Sequence, residues 1–132
     1  MTKVTYRIIY ADTDKMGVVY HANYFKYFEM LRGEMMREYG LTYRDFEDGG
    51  FALPSIEAHC EYKYPARYDD IIEISGKISE IDGLKMKFEC EIHCGEKLIC
   101  RGYTIHICTN SAGRPIRIPQ KLLELYEKSI KF

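Results

Sequence analysis

Net charge is nearly absent from this chain: 19 Lys and Arg stand against 20 Asp and Glu, leaving −1 over 132 residues. With no basic excess to track a phosphate backbone, nucleic acid is not an expected partner. No apolar run approaches the roughly 18 residues of a membrane span. The opening residues 1–7 lack an apolar signal region, so the expectation is a cytoplasmic protein. No internal repeat or low-complexity segment is visible. Cysteine is present five times but never as Cys-x-x-Cys. Cys90 and Cys94 are four apart in a segment that alternates like a strand, about 13 Å by strand rise. That separation argues against a shared metal or an internal disulfide, and the five thiols read as small core residues. No Ser-His-Asp or Cys-His set is evident either.

What is present is enough apolar material, 46% of the residues, for one domain spanning 1–132. Residues 3–10 read as a first strand. Residues 22–39 carry apolar groups at Tyr24, Tyr27, Phe28, Leu31, Met35 and Tyr39, which is helical spacing. Phe25, Met30 and Met36 widen that stripe, as in a helix that is deeply buried or enclosed. Gly40 is a natural stop. A short helical turn is expected over Tyr43–Asp48. Strands follow. Ile56, Ala58, Cys60, Tyr62 and Tyr64 alternate with polar neighbours until Pro65. Residues 70–81 are rich in isoleucine and end at Asp82-Gly83, a hairpin signal. Residues 84–94 alternate again, Gly95-Glu96 makes a turn, and 97–109 form a last long strand. Pro119 suits the first turn of a C-terminal helix whose packing face would be Leu122, Leu125, Tyr126 and Ile130. Tight turns force antiparallel pairing. The expected class is α+β, a single antiparallel sheet wrapped around one long central helix.

The chemistry-bearing stretch runs from Tyr10 to Tyr24. It places Asp12 and Asp14 on a turn after an apolar run, then Gly17, then the start of the long helix. An acid is thereby held beside unpaired backbone N–H groups and a partial positive charge. Attack on a carbonyl needs both an acid of this kind and donors for the oxyanion. An Asp in a turn is, however, commonly there to bond nearby backbone N–H groups. Two rival uses of Asp-x-Asp fail locally. A calcium loop would require Asp or Asn at its fifth position and an acid at its twelfth, where Met16 and Asn23 stand. A phosphatase of the haloacid-dehalogenase type would require Thr or Val at Met16 and a parallel sheet.

The ordered pattern Arg7-Ile8, Thr13-Asp14, Gly17-Val18-Val19, His21 and Tyr24 resembles the signature of hot-dog-fold acyl-CoA thioesterases of the 4-hydroxybenzoyl-CoA thioesterase type. The resemblance implies a hot-dog fold of five antiparallel strands around a central helix. It implies hydrolysis of an acyl-CoA thioester to a carboxylic acid and free CoA, with no metal or cofactor. By the same resemblance Asp14 is the nucleophile or general base, and the backbone N–H near His21 is the oxyanion donor. The His21 imidazole is a second candidate for lining the cleft. Asp12 keeps a structural reading as a loop anchor. Gly17 would let backbone approach substrate, Asn23 would bond near the site, and Tyr24, with Phe28 and Tyr62, would line an acyl pocket. Lys63 and Arg67, in a segment like the family's Pro-Ala-x-x-Asp-Asp, are candidates for the CoA phosphates. Arg67 paired with Asp69 at the surface is the bland alternative. The family pairs subunits into dimers, often tetramers, and one branch is associated with the Tol-Pal envelope complex. An acyl-carrier-protein thioesterase and a non-catalytic acyl-CoA-binding protein are the alternative functions.

Overall fold

The structure, a computed structural model, describes residues 2–131. Strand β1 spans Thr2–Arg7, and a single 3-10 turn occupies Tyr10–Asp12. Helix α1 spans Asn23–Glu38 and helix α2 Tyr43–Asp48. Strands β2 (Ser55–Tyr62), β3 (Ile71–Ile81), β4 (Lys85–Cys94) and β5 (Lys97–Thr109) follow. A two-residue strand β6 (Pro115–Ile116) and helix α3 (Gln120–Lys131) complete the chain. The long strands pair in the order β1-β3-β4-β5-β2, with every neighbour antiparallel. The expected five-stranded sheet is thus present, extended by β6 pairing with the end of β5. The first strand is shorter than expected: the Ile8 N–H still donates to the Asp70 carbonyl, and the chain then leaves the ladder into the 3-10 turn at Tyr10.

Helix α1 lies on the inner face of the sheet. Tyr24, Tyr27, Phe28, Leu31, Met35 and Met36 are buried there, together with Ile72, Ile74, Met86, Phe88 and Ile92. The seat is a row of small residues running across the strands: Thr2, Gly76, Cys90, Gly102 and Cys60 are consecutive register partners. A β-carbon on Gly76 would sit 2.7 Å from a Leu31 methyl, and one on Gly102 2.9 Å from the Phe28 ring. The helix therefore approaches the sheet as closely as it does only because no side chain stands at these two places. Cys90 belongs to the same trough, which accounts for a small apolar residue there. All five cysteines are free thiols.

Two expectations about burial are corrected. Helix α1 is not enclosed in the single chain: Lys26, Glu29, Glu34 and Arg37 are exposed along its outer side. Strand β2, despite its clean alternation, is exposed along nearly its whole length, with Ile56 49% and Tyr62 47% accessible. It is an edge strand, so its apolar residues lack the covering that interior strands receive. Ile130 on α3 is likewise exposed, whereas Leu122 and Leu125 are buried.

Candidate active site

The segment between β1 and α1 folds into a small looped hairpin. Thr13 bridges Val19, the Asp14 N–H donates to the Val18 carbonyl at 2.9 Å, and the Gly17 N–H donates to the Asp14 carbonyl at 3.0 Å. Gly17 has φ +80°, a left-handed conformation that costs an L side chain strain, so glycine closes this loop. Its open surroundings leave backbone accessible at that point. The loop is pinned to the segment before β3: Val18 bridges Arg67, and the Val19 N–H donates to the Ala66 carbonyl at 2.8 Å.

Asp12 and Asp14 have different environments. The Asp12 carboxylate is only 2% exposed. It accepts hydrogen bonds from Tyr6 Oη and Tyr27 Oη, both at 2.8 Å, and pairs with Lys26 Nζ at 2.5 Å. Burial works to raise its pKa, but the bonds from Lys26, Tyr27 and Tyr6 prevail and hold it below the ordinary carboxylate value. Burial, and then the same contact with Asp12, push the Tyr6 hydroxyl up to about 12. The Asp12 backbone carbonyl accepts from Tyr20 N–H and from Asn23 Nδ2. Asp12 thus clamps the loop to β1 and α1, and Asn23 serves that clamp. Asp14 is half-buried. Its Oδ1 accepts the Met16 N–H at 2.8 Å, the turn-forming use of an Asp, while its Oδ2 has no hydrogen-bond partner among the described residues.

Helix α1 begins without a side-chain cap at Ala22. The N–H groups of Asn23, Tyr24 and Phe25 donate to the Tyr20, His21 and Ala22 carbonyls. Among the described residues nothing accepts from the His21 and Ala22 N–H groups. Two donors at the positive end of a sixteen-residue helix are therefore free. The exposed His21 ring lies 4.6 Å from that of Tyr20 and 6.2 Å from that of Tyr62. Tyr62 Oη donates to the His21 carbonyl at 3.1 Å, so β2 holds the helix start in place.

The remaining candidates fall in different places. Tyr24 is 3% exposed, packed against Tyr27 and Tyr62, and its hydroxyl accepts the Ala66 N–H at 3.4 Å. Burial pushes that hydroxyl up to about 12. Lys63 is exposed, with its Nζ 3.9 Å from Glu61. Arg67 is exposed, and its guanidinium forms no ion pair among the described residues. The pair foreseen between Arg67 and Asp69 is replaced by Arg7–Asp69 at 3.3 Å. The Arg67 N–H donates to Asp70 Oδ2. Around the loop, Tyr10, Met16, Tyr64 and Tyr68 are exposed aromatic or apolar side chains. No group of His, Cys, Asp and Glu suited to a metal occurs among the described residues. No helix among them is long and apolar enough to cross a membrane.

A group the sequence reading passed over sits elsewhere, on the inner face between α1, β4 and β5. Arg32, Thr104 and His106 form a chain of hydrogen bonds beside a cavity of about 300 Å³. Two signals were available: Arg32 interrupts the apolar row Phe28–Met36, and Thr104 and His106 occupy inward positions of an alternating strand.

Residues 10–125 match the sequence profile of the Thioesterase-like superfamily. Helicobacter pylori has a relative, acyl-CoA thioesterase YbgC, that is 32% identical over 129 residues, covering 90% of this chain and 95% of its own. The crystal structure of a hypothetical protein from Aquifex aeolicus superposes with a TM-score of 0.91 at 31% identity, covering 94% of this chain and 98% of its own. That of a DHNA-CoA thioesterase from Staphylococcus aureus superposes with a TM-score of 0.91 at 28% identity, covering 98% and 91%. The chain, with its antiparallel sheet around α1 and an acidic loop at the start of that helix, belongs to the Thioesterase-like superfamily.

Proposed function

We propose that this chain hydrolyses an acyl-CoA thioester to a carboxylate and free CoA, with Asp14 as the reacting carboxylate. The observation that carries the reading is that carboxylate, with one oxygen held and the other without a partner among the described residues, on the loop that leads into a helix start whose His21 and Ala22 N–H groups have no acceptor among those residues. As nucleophile, the free oxygen attacks the thioester carbon. The tetrahedral oxyanion is met by backbone N–H groups, and the thiolate of CoA leaves an acyl-aspartyl anhydride that water then opens. As general base, the same oxygen takes a proton from the attacking water. Single turnover in heavy-oxygen water identifies the nucleophilic route by label in Asp14, which enters when water opens the anhydride at the aspartyl carbon; opening at the acyl carbon labels the product acid, as the general-base route does. Gly17 and Tyr24 border the acyl side of this reading. Lys63 and Arg67 are cations near the loop for the CoA phosphates. A second copy paired along the open β2 edge would cover Ile56 and Tyr62 and complete the cleft, giving a dimer or tetramer. The cytoplasm, where CoA esters are handled, is the compartment this reading implies.

The test is thiol release from acyl-CoA esters of graded length, aromatic ones included, with acyl-carrier-protein esters in parallel. Asp14→Asn is expected to lose about 10²–10⁴-fold while keeping the wild-type circular dichroism. His21→Ala should retain most of the rate, since the N–H stays. His21→Pro should lose about 10²–10³-fold, because it removes the donor. Near wild-type turnover by Asp14→Asn ends the proposal. Equal damage from His21→Ala and His21→Pro moves the role to the imidazole.

A further inference from the structure

The cavity of about 300 Å³ on the inner face carries none of the residues just assigned to hydrolysis. Ser55, at its mouth, starts the strand that ends at Tyr62 beside His21. At about 3.3 Å per residue the two places are some 23 Å apart in one chain. Its apolar bed is Met36, Tyr43, Leu53 and Phe88, and Arg32, His106 and, at the solvent side, the Glu29 carboxylate supply the polar wall.

The hydrogen bonds there run in one direction only. His106 is 3% exposed, and burial pushes its pKa down to about 4, so the ring is neutral. Its Nδ1 lies 3.0 Å from the Leu53 carbonyl, which can only accept, so Nδ1 carries the proton. Nε2, 2.9 Å from Thr104 Oγ1, must then accept from the Thr104 hydroxyl. That hydroxyl has one proton and has spent it, so at 3.3 Å it accepts from Arg32 Nη1. The chain ends at the guanidinium, which keeps its remaining N–H donors. Arg32 stands 6.0 Å over the Phe88 ring and is mostly buried, enough for burial to lower its pKa below the ordinary arginine value. Glu29, one turn before Arg32 on α1, borders the same cavity at its solvent side and favours the charge from a distance, but no carboxylate forms an ion pair with Arg32 among the described residues.

A guanidinium that is held in place, largely desolvated and without a directly paired carboxylate among the described residues gains from an anion that joins it. Its planar fork matches a carboxylate. The volume is at the small end of ligand pockets and suits one ring or a short chain. We propose that this cavity binds the carboxylate of a small organic acid, with Arg32 as the recognition residue, Thr104 and His106 as positioning residues, and Phe88 and Tyr43 against the apolar body. The carboxylate belongs either to a free acid or to the far end of an acyl group presented by a second copy.

Calorimetric titration of the whole protein with benzoate, and with benzamide as its uncharged isostere, tests this. Benzoate should saturate one site per chain, and benzamide should bind at least about tenfold more weakly. Arg32→Gln should weaken benzoate by a similar factor, and Arg32→Lys by less. Asp14→Asn should bind benzoate as the wild type does, which keeps the outcome separate from the fate of the hydrolase proposal. Crystals soaked in 4-bromobenzoate should show bromine beside Phe88. If Arg32→Gln does not fold, the benzamide contrast and the bromine position decide. Equal binding of benzoate and benzamide, an unaltered Arg32→Gln titration, or bromine outside the cavity overturns the proposal. A preference for carboxylate-ended over methyl-ended acyl-CoA that disappears in Arg32→Gln makes the acid part of the substrate. Benzoate binding without that preference makes it a free ligand.

Discussion

Asp12 and Asp14 are two residues apart and chemically identical, yet their surroundings divide the work between them. Asp12 is locked among Lys26, Tyr6 and Tyr27, whereas Asp14 keeps one oxygen without a partner among the described residues. A buried carboxylate with three donors holds a loop; the proposed hydrolysis asks the reacting role of the one whose second oxygen is unengaged. At this scale His106 gives a prediction about pH. Its folded pKa is about 4, against 6.5 for the unfolded side chain. Between those values the unfolded chain binds the proton and the folded chain does not, so stability falls on acidification and is complete above pH 6.5. The loss is about 2 kcal/mol on going from neutral pH to pH 5. Urea unfolding at the two pH values measures it. His106→Gln should flatten that slope while being less stable at neutral pH, since Thr104 and Leu53 lose a partner.

The elements are set by how closely α1 and the sheet approach. The trough Gly76–Cys90–Gly102–Cys60 lets Leu31 and Phe28 reach the sheet floor. Gly102→Ala would drive a methyl group into Phe28 and the His59 carbonyl. It should destabilise by about 1–3 kcal/mol, read from chemical unfolding. An unchanged unfolding midpoint would mean that the seat is slack. A shift of α1 away from the sheet strains the bond from Tyr62 Oη on β2 to the His21 carbonyl at the helix start. Gly102→Ala should therefore lower turnover along with stability.

At the scale of the whole molecule, the edge strand β2 stands out. A sheet edge of eight residues with Ile56 and Tyr62 on the surface presents unpaired backbone groups and apolar side chains together. Such an edge invites a second strand. Light scattering at micromolar concentration should give at least twice the monomer mass of 15.5 kDa. Ile56→Lys, which places a charge on that edge, should shift the population toward monomer and reduce turnover in the same proportion. A monomeric wild type with full activity would contradict a site completed by a second copy.

Element positions were legible in the sequence because they depend on local periodicity and punctuation. The α2 span, the Gly40 stop at φ +89° and the hairpins at Asp82-Gly83 and Gly95-Glu96 all follow from residues within a few positions of one another. So does the acidic loop before α1, including Gly17 at its turn. Other features needed the tertiary structure. Alternation in residues 55–64 reads the same for an interior strand and an edge strand, since the pattern records which face is apolar and not whether anything lies beside it. Arg7, not Arg67, pairs with Asp69, because the β1–β3 pairing and the turn after it bring residues 62 apart together. Arg32 meets Thr104 across 72 residues. A charged residue on an apolar helix row looks like a flaw until the sheet register supplies the hydroxyl, and behind it the histidine, that hold it. Local sequence fixes where backbone turns and which way side chains face. Which distant groups share a desolvated space is decided only when the sheet closes around the helix.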